Sequence, residues 1–201
     1  SERVEACKGC SRIQGGSDKY NETNYRPISV LGHIGKLIEL EVKSQLISYL
    51  TQNQLISIDQ SAYLKNHSTT TCLHRVMDEW YHTLDEGHMI GVFLLDISKC
   101  FDSINHNLLL TKLEKYGIKS LELNWFKSYL TDRSQIVTCN GQKSSKEYLK
   151  TGVPQGSILG PILFLLFIND LSQYTLSATC NLFADDALFY VHGETTSEIQ
   201  E

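Results

Sequence analysis

The sequence predicts an α+β chain, and three observations carry that prediction. An apolar run over residues 89–97 (MIGVFLLDI) and a second stretch rich in strand formers over residues 182–191 (LFADDALFYV) read as sheet. Between and before them, apolar residues recur at helical spacing in several segments. Two tight-turn signals, Asn140-Gly141 and the turn carrying Asp185 and Asp186, point to hairpins and so to antiparallel pairing.

The stretch 182–191 predicts a tight hairpin with Asp185 and Asp186 at its tip. Adjacent carboxylates repel, more so where partly buried, and a hard divalent ion converts that repulsion into binding. A turn with two solvated acids is the plainer reading, because Asp is common in turns. A third carboxylate and a nucleic-acid-like context decide between the two.

A chain of 201 residues with 41% hydrophobic content can fill a core as one large domain or two small subdomains, and it argues against disorder. No apolar run reaches the ~18 residues of a membrane span, and the greasiest segment, 162–168, is broken by Asn169-Asp170. No membrane association is expected, and no signal peptide opens the chain. Six cysteines (7, 10, 72, 100, 139 and 180) form no framework, which predicts free thiols and an intracellular, reducing location. Cys7 and Cys10 have zinc-like spacing, but no second pair follows at finger distance. A net charge of −5 requires that any nucleic-acid binding use a local basic face or further polypeptide.

Residues 1–25 are polar, with Gly15-Gly16 and Asn21 to Asn24 as breakers, and read as a loop-rich entry. A short extended piece follows at Arg26-Pro27-Ile28-Ser29-Val30, Tyr25 being kept out of the helical region by the proline. Ile34, Leu37, Ile38, Val42, Leu46 and Leu50 predict an amphipathic helix over 34–50. Ser68 and the threonines after it supply caps for a helix with Leu73, Val76, Met77, Trp80 and Leu84 on its core face, stopped near Gly87. The run 89–97 predicts a strand buried on both faces, with Asp96 at its end. Helices are expected over 107–116, ended by Gly117, and over 121–130, with Trp125 and Phe126 inward. Strands over 134–139 and 147–151 flank Asn140-Gly141.

Asp96 supplies the third carboxylate. An acid ending an apolar strand is costly to bury and so faces a ligand or a cation, the alternative being a cap for the next turn. Residues 152–157 (GVPQGS) form a glycine-bounded turn ahead of a helix over 161–171; glycine lets a ligand approach the backbone, though a plain connector has the same composition.

These features stand in one order, and together they resemble the reverse transcriptase domain of non-LTR (LINE-like) retrotransposons. The resemblance runs through NYRPISVL (24–31), HSTTTCL (67–73), FLLDISKCFDSINH (93–106), KLEKYGI (112–118), WFKSYLTDRSQIV (125–137), GVPQGSILGPILFLLFINDL (152–171) and LFADDALFYV (182–191). It implies the fingers and palm of a right-hand polymerase, an antiparallel palm sheet packed on helices, with the thumb absent. Residues 1–90 would be a fingers-like part and 91–201 a partial palm, with 118–150 as a fingers insertion.

By the same resemblance, Asp96, Asp185 and Asp186 are the catalytic carboxylates. They hold two Mg²⁺ ions, with Mn²⁺ an admissible substitute and the main-chain carbonyl of Ile97 also reaching a metal. Phe101 stands where an aromatic excludes a ribose 2′-hydroxyl. Gln155 and the backbone of Gly156 match a contact to the incoming nucleotide, and Arg26 matches a triphosphate-pairing arginine. A fingers lysine common in relatives is missing, the region reading Ile13-Gln14-Gly15-Gly16, while Lys65 offers a substitute point charge. The implied partners are an RNA template, a DNA primer or target, dNTPs and the rest of the retrotransposon polyprotein, including thumb and endonuclease. The implied location is a nuclear and cytoplasmic ribonucleoprotein. A catalytically silent remnant that binds nucleic acid or protein is the alternative, and an RNA-directed RNA polymerase a third reading.

Overall fold

A computed structural model describes residues 3–8, 28–97, 100–139, 141–175 and 177–200. The strands are β1 (Arg3–Lys8), β2 (Ile28–Val30), β3 (Met89–Asp96), β4 (Arg133–Cys139), β5 (Gln142–Lys143), β6 (Glu147–Tyr148), β7 (Thr179–Phe183) and β8 (Asp186–Gly193). The helices are α1 (His33–Gln52), α2 (Thr69–Asp85), α3 (His106–Lys115), α4 (Ser120–Leu130), α5 (Gly160–Ile168) and α6 (Thr196–Gln200). Two compact units form, each from two stretches of chain: Ser1–Tyr49 with Phe101–Leu163, and Leu50–Cys100 with Phe164–Glu201. The boundary expected at residue 90 lies inside the second unit, because the chain leaves the first unit at α1 and returns to it after β3.

In the first unit the sheet order is β2-β1-β4-β5, with β6 also on β4. β1 and β4 pair in parallel over Arg3↔Arg133 to Lys8↔Thr138, a pairing the local hairpin signals could not anticipate. The Asn140-Gly141 hairpin is present: Cys139 pairs with Gln142, and Gly141 takes the positive φ of 80° that a two-residue loop demands. Asn140 itself lies outside the described residues. Asn105 caps α3 by accepting from the Leu108 amide at 3.0 Å, and Gly117 ends it at φ 88°. Leu109, Leu113, Phe126, Leu130, Leu159 and Ile162 fill this unit's core.

In the second unit β3, β8 and β7 form an antiparallel sheet. α2 begins with a capping box between Ser68 and Thr71, as its hydroxyl-rich start predicts, and packs on one face of the sheet. α6 covers part of the other, where Ile199 lies so close over Gly91 that no side chain fits there. Residues 59–61 close the free edge of β7, with Leu182 exchanging bonds of 2.8 and 2.9 Å with Asp59 and Ser61.

Several expectations are corrected. β3 is an edge strand, paired only with β8 among the described residues, and Phe93 and Leu94 are 61% and 74% exposed where burial on both faces was expected. On α2, Val76 is buried while Leu73, Met77 and Leu84 are exposed. On α1, Ile34 is 77% exposed, whereas Glu39 is buried. The reason is polar: the Glu39 carboxylate accepts from the Ile158 and Leu159 amides at 2.6 and 3.3 Å and from the Tyr129 hydroxyl at 3.1 Å. It thereby satisfies donors just ahead of α5 that no helical carbonyl can reach. α5 ends at Ile168, and a 3₁₀ turn over Leu171–Tyr174 replaces its expected last turn. Cys72, Cys100 and Cys180 are free, as expected, but Cys139 is disulfide-bonded. No helix among the described residues is long and apolar enough to cross a membrane.

Candidate active site

The hairpin predicted at 182–191 forms between β7 and β8, with Phe183 opposite Asp186. Its two-residue turn is Ala184-Asp185, so Asp185 lies in the turn and Asp186 opens the second strand, where both acids were expected at the tip. Ala184 takes a φ of 56°, a sign usually left to glycine in such loops.

β8 also pairs with β3, in a register that sets Asp96 directly opposite Asp186. Opposed residues of an antiparallel pair share a face, with Cβ atoms roughly 4.5–5.5 Å apart, so both carboxylates project to the same side of the sheet. They line a cavity of about 430 Å³ with Leu94, Phe183, Leu188 and, from α2, Val76. Asp185 is joined to the same strand end through its main chain: its carbonyl accepts from the Ile97 amide at 3.1 Å.

The donor set suits a hard divalent ion, since ionised carboxylates offer only oxygen acceptors, and Asp96 and Asp186 are exposed where an ion can reach them. Two like charges opposed on one face also repel until a cation is shared. Among the described residues, however, no three His, Cys, Asp or Glu side chains stand together as a ready-made metal cluster. The backbones of Asp96, Asp185 and Asp186 meet; their three carboxylates do not close around one point.

Asp185 also acts on Tyr63. Burial, then the Asp185 charge, then Cys100 push the Tyr63 phenol above its ordinary pKa, so it stays a neutral hydroxyl beside the acid. Lys65 is exposed on the same loop. Behind the acids, α2 is tied to the sheet by a partly buried polar network. Arg75 donates to the Ile58 carbonyl at 2.9 Å and to the Asn181 side chain, while the Tyr190 hydroxyl donates to Glu79. Burial and the Glu79 carboxylate raise the Tyr190 pKa, and Trp80 meets its ring edge-on at 5.8 Å. Sequence reasoning missed Arg75, Glu79, Asn181 and Tyr190. The usable signal was the period of two, which sets residues 186, 188 and 190 on one face.

Phe101, Gln155 and Gly156 all belong to the first unit, where residues 101–106 and 151–155 are laced together. Val153 donates to the Phe101 carbonyl and Gly152 to that of Ile104, each at 2.8 Å, and a ring nitrogen of His106 lies 2.7 Å from the Gly152 carbonyl. The Gln155 carbonyl accepts from the Ser29 amide at 2.8 Å. Gly156 takes φ 104° over β2, where a Cβ would meet the Ser29 carbonyl at 3.3 Å. Arg26 and the Ile13-Gln14-Gly15-Gly16 segment lie outside the described residues.

Comparison with known proteins agrees with the geometry. The family model described as reverse transcriptase (RNA-dependent DNA polymerase) matches residues 17–201. The RNA-directed DNA polymerase from mobile element jockey of Drosophila melanogaster is 34% identical over 153 residues, which cover 76% of this chain and 16% of that protein. The probable RNA-directed DNA polymerase from transposon BS of the same species is 30% identical over 162 residues, 78% of this chain and 17% of that one. The chain thus spans about a sixth of the length of these relatives. Among solved structures, apo telomerase from Candida tropicalis superposes with a TM-score of 0.65 at 13% identity, covering 99% of this chain and 40% of that one, a likeness of fold.

Proposed function

The chain belongs to the reverse transcriptase (RNA-dependent DNA polymerase) family, with non-LTR retrotransposon polymerases among its relatives, and we propose that it is the core of an RNA-directed DNA polymerase. In this reading it joins deoxynucleotides to a primer 3′-hydroxyl on an RNA template. The observation that carries the reading is the pairing of Asp96 with Asp186 across two strands, with Asp185 in the adjoining turn.

Asp96, Asp185 and Asp186, with the main-chain carbonyl of Ile97, would hold Mg²⁺, two ions in this reading, or Mn²⁺ in its place. Such ions supply activation of the primer hydroxyl and neutralisation of charge on the transferred phosphoryl group. Phe101 excludes a ribose 2′-hydroxyl by its bulk. Gln155 and Gly156 contact the incoming nucleotide, and Arg26 and Lys65 contact its triphosphate as cations. The unit bearing the acids is the palm and the other carries the fingers. The full enzyme includes further polypeptide with thumb and endonuclease, and works in a nuclear and cytoplasmic ribonucleoprotein with RNA template and DNA primer or target.

Primer extension on an RNA template with Mg²⁺, by the polypeptide that carries this chain, tests the reading. Asp96→Asn and Asp185→Asn are each expected to lower it at least ~100-fold, the several kcal/mol that metal-borne charge stabilisation supplies. Undiminished extension by Asp185→Asn overturns it.

A further inference from the structure

The formal charge of −5 is unevenly divided. Fifteen of the 18 Lys and Arg but only 11 of the 23 Asp and Glu fall in the first unit, which leaves three of those cations against 12 acids in the second. The unit that carries Asp96 and Asp186 is thus strongly anionic and the other net cationic, so a phosphate chain is drawn to the first unit.

Within that unit the cations meet an open sheet face. Lys143 stands opposite Thr138 and Tyr148 opposite Ser134 on β4, and opposed residues share a face, so both side chains leave the sheet on the Ile136 side. β1 carries the same face across to β2, where Ile28 is level with Thr138 and Val30 with Ile136. Tyr148 is 56% exposed, Val30 49% and Ile28 39%, and Lys143 is exposed on the same side. The Lys146 ammonium lies 5.0 Å from the Tyr148 ring centroid, and Lys150 lines one hollow with Tyr148. The side chains of Lys143 and Lys150 have no ion-pair or hydrogen-bond partner among the described residues. Glu147, the acid of this segment, is opposite Gln135 and so leaves from the other face. Scattered surface lysines are commonly just solvated. Here three of them share one short segment with an exposed aromatic ring, and its acid is turned away.

We propose that this face, from Ile28 and Val30 across to Tyr148 and its lysines, docks a single strand of RNA. Phosphates meet Lys143, Lys146 and Lys150, one base stacks on Tyr148, and Ile28 and Val30 offer apolar contact to the bases beside it. A duplex keeps its bases stacked on one another and has no use for the exposed ring, so the strand is unpaired. The proposal rests on the polymerase reading for the strand's identity, an RNA template, and adds a contact in which Asp96, Asp185 and Asp186 take no part.

Fluorescence anisotropy of a labelled oligouridylate of about 12 nucleotides, titrated with the chain at low salt, tests this without catalysis. Tyr148→Ala is expected to weaken binding roughly 10-fold, the worth of one stacked base, and Tyr148→Phe to keep it within about 2-fold. Lys143→Gln with Lys150→Gln is expected to lower the affinity and to flatten the slope of log affinity against log salt by about 1.4, two phosphate contacts to a single strand. Lys115→Gln with Lys119→Gln removes the same charge from the connection between α3 and α4 and is expected to leave affinity and slope nearly unchanged. No binding by the unsubstituted chain, undiminished binding by Tyr148→Ala, or an equal loss in the Lys115 and Lys119 variant overturns the proposal. So does tighter binding of duplex RNA or of the matching DNA strand. Because the anisotropy needs neither extension nor metal, a failure of the polymerase reading shows only in the primer-extension assay.

Discussion

The main-chain amide of Ile97 donates to the carbonyl of Asp185 at 3.1 Å, one step beyond the Asp96–Asp186 pair. That bond carries the β3–β8 ladder into the turn, so the acid in the turn is tethered to the strand that bears Asp96.

The Asp96–Asp186 opposition places like charges across a strand pair, which costs about 0.2–1 kcal/mol without a cation. Asp186→Asn is therefore expected to raise the thermal midpoint of the metal-free chain by about 1–4 °C and to abolish any rise caused by Mg²⁺. Melting curves with and without Mg²⁺ check this; a lower midpoint in the metal-free variant contradicts it.

Ala184 holds φ 56° in the turn, a strained value for a residue with a Cβ. Ala184→Gly is expected to leave stability level or raise it by up to ~1 kcal/mol, the relief exceeding the added chain entropy. Ala184→Val is expected to lower it by at least ~1 kcal/mol, since a β-branched residue tolerates this region worst. Urea titration of both variants reads the difference, and equal midpoints would refute the strain.

Gly152 admits no side chain: a Cβ would meet the Asp102 Cα at 2.8 Å and the Phe101 carbonyl at 2.9 Å, at a φ of 82°. Gly152→Ala is expected to cost ~2–4 kcal/mol by overlap and strain together. Chemical denaturation measures it, and a loss below ~0.5 kcal/mol would show that the two segments part easily.

Glu39 is 5% exposed and takes three hydrogen bonds. Glu39→Ala, which strands two amides and a hydroxyl, is expected to cost ~2–4 kcal/mol, and Glu39→Gln, which keeps one acceptor oxygen, about half as much. Equal costs would mean that one acceptor oxygen contributes nothing without the other, and a cost-free Glu39→Gln would mean that the carboxylate acts only by filling space.

Cys180 is 3% exposed, and burial, then the Asp59 charge, push its thiol up to about 11. A raised pKa contributes stability that is present below the unfolded thiol's value near ~8.5 and lost as pH climbs through about 11. The chain is thus expected to weaken over that window by on the order of 2 kcal/mol, and Cys180→Ala to flatten the decline. Denaturation midpoints taken across that range test it; parallel slopes for the two proteins count against it.

Local chemistry made the hairpin at residues 182–191, the α2 capping box, the Asn140-Gly141 loop and the strand ending in Asp96 legible in the sequence, because turn, cap and periodicity signals act over a few residues. The candidate acids were legible for the same reason: charge inside an apolar strand is costly wherever it stands. Tertiary structure alone decided that Asp96 opposes Asp186, that β1 runs parallel to β4, that Glu39 and not Ile34 is buried on α1, and that Asp102 holds Gln155. Each of these joins residues dozens of positions apart, and which partner wins is set by how the elements pack, since burying a donor or an acid is tolerated only where that packing brings its counterpart.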